Sequence, residues 1–259
     1  MNISITGPGV YFTIPILGGI RISQTAVSLL AVTLLLIVAA IIVTRKIKKR
    51  PGRLQVVIEK LVTMLYDLVE STMGKHNLKF APYIGALFLS SLLGSLIGLT
   101  QIFRSTTGDL SVTLAWALVT TGMVWYHNIR NFGFKAWLKG FTEPIAVMTP
   151  MNIVSEIANP ISMAFRHFGN VAGGSVLMSV IYAALAALSS VIFGWIPGLI
   201  GTIPFFQVGI PAVLSIYFDL FSGFVQAFVF CLLTMIYVGA ANPPPEEAPA
   251  AESDVTKEN

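Results

Sequence analysis

The feature that most limits what this chain can fold into is residues 26–43, eighteen apolar or small residues without a single charge. At 1.5 Å per residue a helix of that length nearly crosses the ~30 Å hydrocarbon core of a bilayer. The rest of the chain repeats the theme. Of 259 residues, 55% are hydrophobic and only 11% charged, against about 25% charged residues in soluble domains. A soluble enzyme or a nucleic-acid binder is excluded, and an all-α polytopic membrane protein is expected. Metal and redox chemistry find little support. Cys231 is the one cysteine, and His76, His127 and His167 lie far apart without ligand spacing, so neither a metal nor a cofactor is expected.

Further spans follow from the same pattern. Residues 24–44, 81–103 and 110–128 each read as one crossing, and 150–193 and 205–239 are long and largely apolar. Residues 53–78 differ in kind. Leu54, Val57, Ile58, Leu61, Leu65 and Val69 recur at helical spacing, opposite Arg53, Glu59, Lys60, Asp67 and Glu70. That segment is expected to lie in the headgroup layer. Residues 1–22 carry no charged start and cleavage site of a signal peptide. The tail, 241–259, is acidic and rich in Pro and Ala, and disorder is expected there.

Sixteen basic residues set the orientation. Nine fall between Arg45 and Lys79 and three more between Arg130 and Lys139. If both loops are cytoplasmic, five crossings put the N-terminus outside and the C-terminus inside. The spacing leaves one alternative open, because 44 residues at 150–193 fit either one very oblique helix or two spans broken near residues 169–174.

Ionisable groups inside the membrane are costly, so each is a functional candidate. Glu156, Asn159, Ser162, Arg166, Asn170 and Gly173 step by three or four and form one polar stripe. Asp219 and Gln226, with Ser222 between them, form a second. With Arg166 level with Gln226 on antiparallel helices, Gly173 faces Asp219 and Glu156 lies about 15 Å toward the cytoplasm. A cation with one carboxylate toward each surface suits proton relay. A plain Arg166–Asp219 ion pair, or a packing role for His167, is the simpler alternative. An ion-coupled secondary transporter and a non-conducting scaffold are the competing functions.

The run Arg166-His167-Phe168-Gly169-Asn170, preceded by Glu156, Pro160 and Ser162, resembles subunit a of F-type ATP synthases. Supporting pieces are Pro51-Gly52 with Gln55 and Glu59, Lys79-Phe80-Ala81-Pro82, Asp109 with Ser111-Val112-Thr113, and Gln226-Ala227-Phe228 with Thr234 and Tyr237. The resemblance implies that the last two segments form a long oblique hairpin against a rotating ring of c subunits. It implies further partners in b-type stalk subunits, the remaining synthase subunits and membrane lipid. A bacterial plasma membrane is expected from the lack of a transit peptide, a feature that a plastid-encoded chain would share. By position, Arg166 corresponds to the stator arginine, Asn170 and Gln226 to the polar residues beside it, and Glu156 to the acid of the cytoplasmic half-channel. Two residues depart from the family pattern, Ser175 where a glutamate is frequent and His167 where leucine is usual. Asp219 stands where relatives carry His or Glu. The outer acid is therefore assigned to Asp219, with Ser175, Gly174 and Gly173 leaving room for water and Ser162, Asn159 and His167 as further lining.

Overall fold

The computed structural model describes residues 9–14, 20–100, 102–143, 145–193, 206, 213–214 and 216–244. The expected all-α polytopic architecture forms, preceded by a small antiparallel hairpin of β1 (Val10–Ile14) and β2 (Ile20–Ser23). Helix α1 (Gln24–Arg45) starts where the Ser23 hydroxyl accepts the Ala26 N–H at 3.2 Å, satisfying one of the free donors of the first turn. Along it only Thr25, Ser28 and Val32 are buried, while Leu30, Leu34 and Leu35 stay open. Such an outward apolar surface is suited to lipid.

Helix α2 (Arg53–Met73) is shorter than the expected 53–78. Gly74 adopts φ +82°, and its N–H caps the Glu70 carbonyl. Only glycine takes that conformation without steric cost, so the chain breaks here and continues as a 3₁₀ turn, Lys75–Phe80. Of the apolar stripe, Val69 is buried, whereas Leu54, Val57 and Leu61 are exposed. The later helices are α3 (Ala81–Leu96, extended by a 3₁₀ turn Ile97–Thr100), α4 (Leu110–Phe132) and α5 (Phe134–Gly140). After them come α6 (Thr149–Phe193), a π-helical segment Ile216–Phe221, and α7 (Ser222–Ala240).

Four segments among the described residues are long and apolar enough to cross a membrane: Gln24–Arg45, Lys75–Thr100, Ala146–Ile192 and Ile216–Ala240. The fifth expected crossing, α4, has 23 residues, about 35 Å of helix. Its apolar run is diluted by Thr113, Thr120, Thr121, His127 and Asn128, so it is not among the four. The alternatives for 150–193 resolve to one helix of 45 residues with no break at 169–174. Pro160, inside it, lacks the N–H that would bond the Glu156 carbonyl. One lost bond does not unwind a helix in lipid, where no water is at hand to replace the others.

The chain divides into two compact units. The first comprises Met1–Ile41, Phe88–Thr113 and Phe165–Val229. Its interior is rich in small hydroxyls, with Ser91, Ser95, Thr106 and Thr107 all buried. Ser95 Oγ lies 2.8 Å from Thr107 Oγ1, and the Ser105 hydroxyl donates to the Gly94 carbonyl at 3.1 Å. Gly94 makes this approach possible, because a methyl there would stand 2.1 Å from Thr106 Oγ1.

The second unit comprises Ile42–Leu87, Leu114–Ala164 and Phe230–Asn259. Ile84, Ala117, Phe230, Cys231 and Met235 are buried in it, and Trp116 meets Phe230 edge-on at 6.3 Å. The expected tail disorder does not begin at residue 241. Ala241 is buried, and the Asn242 carbonyl accepts from His76 Nε2 at 2.7 Å and Asn77 Nδ2 at 3.1 Å. The Asn242 side chain donates to Asn77 Oδ1 and accepts from Asn131 Nδ2 at 2.8 Å. The remaining tail, from residue 245, lies outside the described residues.

Candidate functional site

Helix α6 carries the first polar stripe, and burial sorts its members. Arg166 and His167 are neighbours in sequence, but successive helical residues point about 100° apart. His167 is fully buried, its Nε2 3.1 Å from Ser91 Oγ on α3. Arg166 is exposed. Among the described residues its guanidinium makes no hydrogen bond or ion pair.

One turn further along, Asn170 Nδ2 donates to Gln226 Oε1 on α7 at 2.6 Å, and Gln226 is only 4% exposed. Interhelical bonds of this kind contribute about 0.6 kcal/mol on average in membranes. At this pair the register is displaced by one turn from the expected one, since Asn170, and not Arg166, is level with Gln226. At the π-helical segment it returns to the expected offset, where a methyl on Gly174 would meet Phe218 at 3.7 Å. Toward the far end of the same pair, Ser189 Oγ accepts the Phe206 N–H at 3.1 Å. Contacts 170 to 226, 174 to 218 and 189 to 206 descend together, as an antiparallel hairpin requires.

Asp219 falls within the π-helical segment Ile216–Phe221. Such segments are rare and frequent at functional sites, because the extra residue per turn re-aims the side chains around it. The Asp219 side chain itself lies outside the described residues. Ser175 is exposed and bonds back to the Ala172 carbonyl at 2.7 Å, and Gly173 is exposed with open space where a side chain would stand.

Glu156 belongs to the second unit and lines a cleft of about 210 Å³ there. Asn159 and Pro160 from α6, Thr120, Thr121 and Asn128 from α4, and Tyr237 from α7 share its wall. A volume of that size, at about 30 Å³ per molecule, holds several waters. Ser162 is exposed and does not line it. The Glu156 carboxylate accepts the Trp125 indole N–H at 2.5 Å.

Sequence reasoning missed Trp125, Thr121 and Asn128, and it missed the hydroxyls around Ser91. Thr121, Trp125 and Asn128 step by four and three along α4, and Ser91 and Ser95 by four along α3, so a face was there to be read. What the spacing does not give is the neighbour on another helix, and a tryptophan at the end of an apolar run reads equally well as an interfacial anchor.

Comparison with known proteins matches the sequence of this chain to a family. A family model described as ATP synthase A chain matches residues 25–239. The ATP synthase subunit a, sodium ion specific, of Propionigenium modestum is 32% identical over 235 residues, covering 85% of this chain and 74% of its own length. The ATP synthase subunit a of Bacillus subtilis (strain 168) is 31% identical over 241 residues, 88% of this chain and 95% of its own. ATP synthase subunit a 1 of Hahella chejuensis is 30% identical, with 92% of both chains covered.

Proposed function

This chain belongs to the ATP synthase A chain family and is a subunit a, a membrane component of the ATP synthase complex; on that premise we propose that it is the proton-conducting stator, with two offset half-channels serving a ring of c subunits. Protons enter from outside near Asp219, beside Asn170 and Gln226, and protonate a ring carboxylate. After nearly a full rotation they leave past Glu156 to the cytoplasm. This reading takes the N-terminus as outside, the C-terminus as cytoplasmic and the membrane as a bacterial plasma membrane. It places b-type subunits in the peripheral stalk.

The observation that carries it is Arg166. Guanidinium keeps its charge at any working pH, and at the centre of a membrane helix it costs about 2.5–3.5 kcal/mol. An exposed arginine on a membrane helix is placed to meet an anionic group of a neighbouring chain. A ring carboxylate supplies it. Facing the arginine, that carboxylate is favoured in its ionised form and releases its proton. The fixed cation also bars a proton from passing directly between the half-channels. The driving force is about 2.3 kcal/mol per charge for each 100 mV of potential.

The cleft at Glu156 fits the inner half-channel, since it joins a carboxylate to amides and hydroxyls in a space that admits water. The coupling ion is read as the proton. One relative bears the name sodium ion specific, but ion choice resides in the ring carboxylate, on another chain.

The test is ATP-driven acidification of inverted membrane vesicles, comparing wild type with Arg166→Ala at matched complex assembly. Loss of pumping with the complex intact is expected. Normal pumping would reduce Arg166 to a structural group and end the stator reading.

A further inference from the structure

We propose that Trp125 is a positioning residue for Glu156, holding one carboxylate oxygen so that the other alone carries the proton through the cleft. The inference rests on the inner half-channel reading above, and deepens it.

The indole N–H reaches Oε1 at 2.5 Å, and a closed circuit of contacts keeps it there. The Trp125 ring lies against Trp137 of α5, with centroids 6.2 Å apart at 60°. Trp137 in turn meets Phe141 edge-on at 5.1 Å. Asn152 Nδ2 donates to the Phe141 carbonyl at 2.9 Å and to the Glu143 carbonyl at 3.1 Å. Asn152 stands on α6 one turn before Glu156, so the path returns to the helix it started from. Aromatic pairs of this geometry attract one another beyond their burial, and three links in a loop restrain the indole more than any one of them.

The chemical consequence follows from the donor. An indole N–H only donates, so Oε1 serves as acceptor in both protonation states. The proton is left to Oε2. In one passage an O–H bond of a hydronium in the cleft breaks as Oε2–H forms, and the reverse step hands the proton to the next water. Trp125 itself exchanges nothing. Tyr237 is the other titratable side chain on the cleft wall. On the neighbouring α5, Lys135 is exposed, and Lys139 is engaged with Glu143 at 3.8 Å.

The experiment measures proton conduction against pH in vesicles holding the whole complex, for wild type, Trp125→Phe, Trp137→Leu and Glu156→Gln at matched assembly. Trp125→Phe keeps a ring and loses the N–H. We expect its conduction to fall about tenfold, as the carboxylate loses its fixed orientation. Trp137→Leu, which removes the brace and leaves the donor, lowers it by less. Adding Trp125→Phe to Glu156→Gln changes nothing further. Unchanged conduction in Trp125→Phe, with conduction lost in Glu156→Gln, overturns this inference and leaves the half-channel reading standing. Full conduction in Glu156→Gln removes the half-channel reading itself.

Discussion

Two polar regions of this membrane protein are built from the same residue types and have opposite characters. Around Ser91, Ser95, Thr107, His167 and the Asn170–Gln226 pair, polar groups bond to one another at 2.6–3.1 Å, most of them buried. Around Glu156, the amides and hydroxyls of Asn128, Asn159 and Thr121 stand on the wall of an open cleft. The difference teaches that polarity inside a membrane is not itself a mark of transport. Paired hydroxyls and amides hold helices together, whereas a charge that is open to a cleft or a helix surface is available to ions.

Substitutions can sharpen that contrast. The largest effect is expected for Arg166→Lys. A compact, titratable ammonium does not reproduce the planar, permanent charge, so ATP-driven acidification should stay abolished while the complex is recovered in normal amount. Restored pumping would show that any cation serves at this position.

The next concerns the paired region. Gly94→Ala forces a methyl to within 2.1 Å of Thr106 Oγ1, and overpacking of this kind costs about 1–3 kcal/mol. The expected result is a lower melting temperature of the purified complex, with the pumping rate per assembled complex kept. A normal melting temperature would mean that the loop at Thr106 gives way easily.

The smallest effect is expected for the double change Ser91→Ala with His167→Leu. Removing both partners of a buried hydrogen bond together is nearly neutral, whereas removing one leaves the other unsatisfied at about 1–3 kcal/mol. Single and double variants compared by thermal melting should therefore be non-additive. Loss of pumping in the double variant would move His167 from the packed class to the conducting one.

Much of this was legible in the sequence. The stripe on α6 and the apolar runs are periodic, and period reports which face of a helix a residue occupies. The Arg166 run, together with Gln226-Ala227-Phe228 downstream of it, pointed to the family that the comparison shows. What period does not report is the partner across the gap. At Gln226 the register between α6 and the last segment was displaced by one turn, because a polar stripe repeats every turn and each offset brings some pair level. Gly74 was hidden for a related reason. The apolar stripe of α2 continues past it, while the helix ends on a backbone angle that only the fold reveals. Trp125 could not be seen as a partner of Glu156, since 31 residues and two turns of chain separate them.

The anchoring of Asn242 has a consequence for the order of events during synthesis. Asn77 is completely buried, and one of its ties is to a residue made 165 positions later. Asn131 waits on the same residue. The polar knot joining three distant stretches of the nascent chain thus cannot close until the ribosome has passed residue 242. Contacts of such long sequence separation form late, after the local helices. A ribosome that stalls within the last helix would leave these amides in the membrane without their partner, a state that a quality-control protease can distinguish from the finished protein.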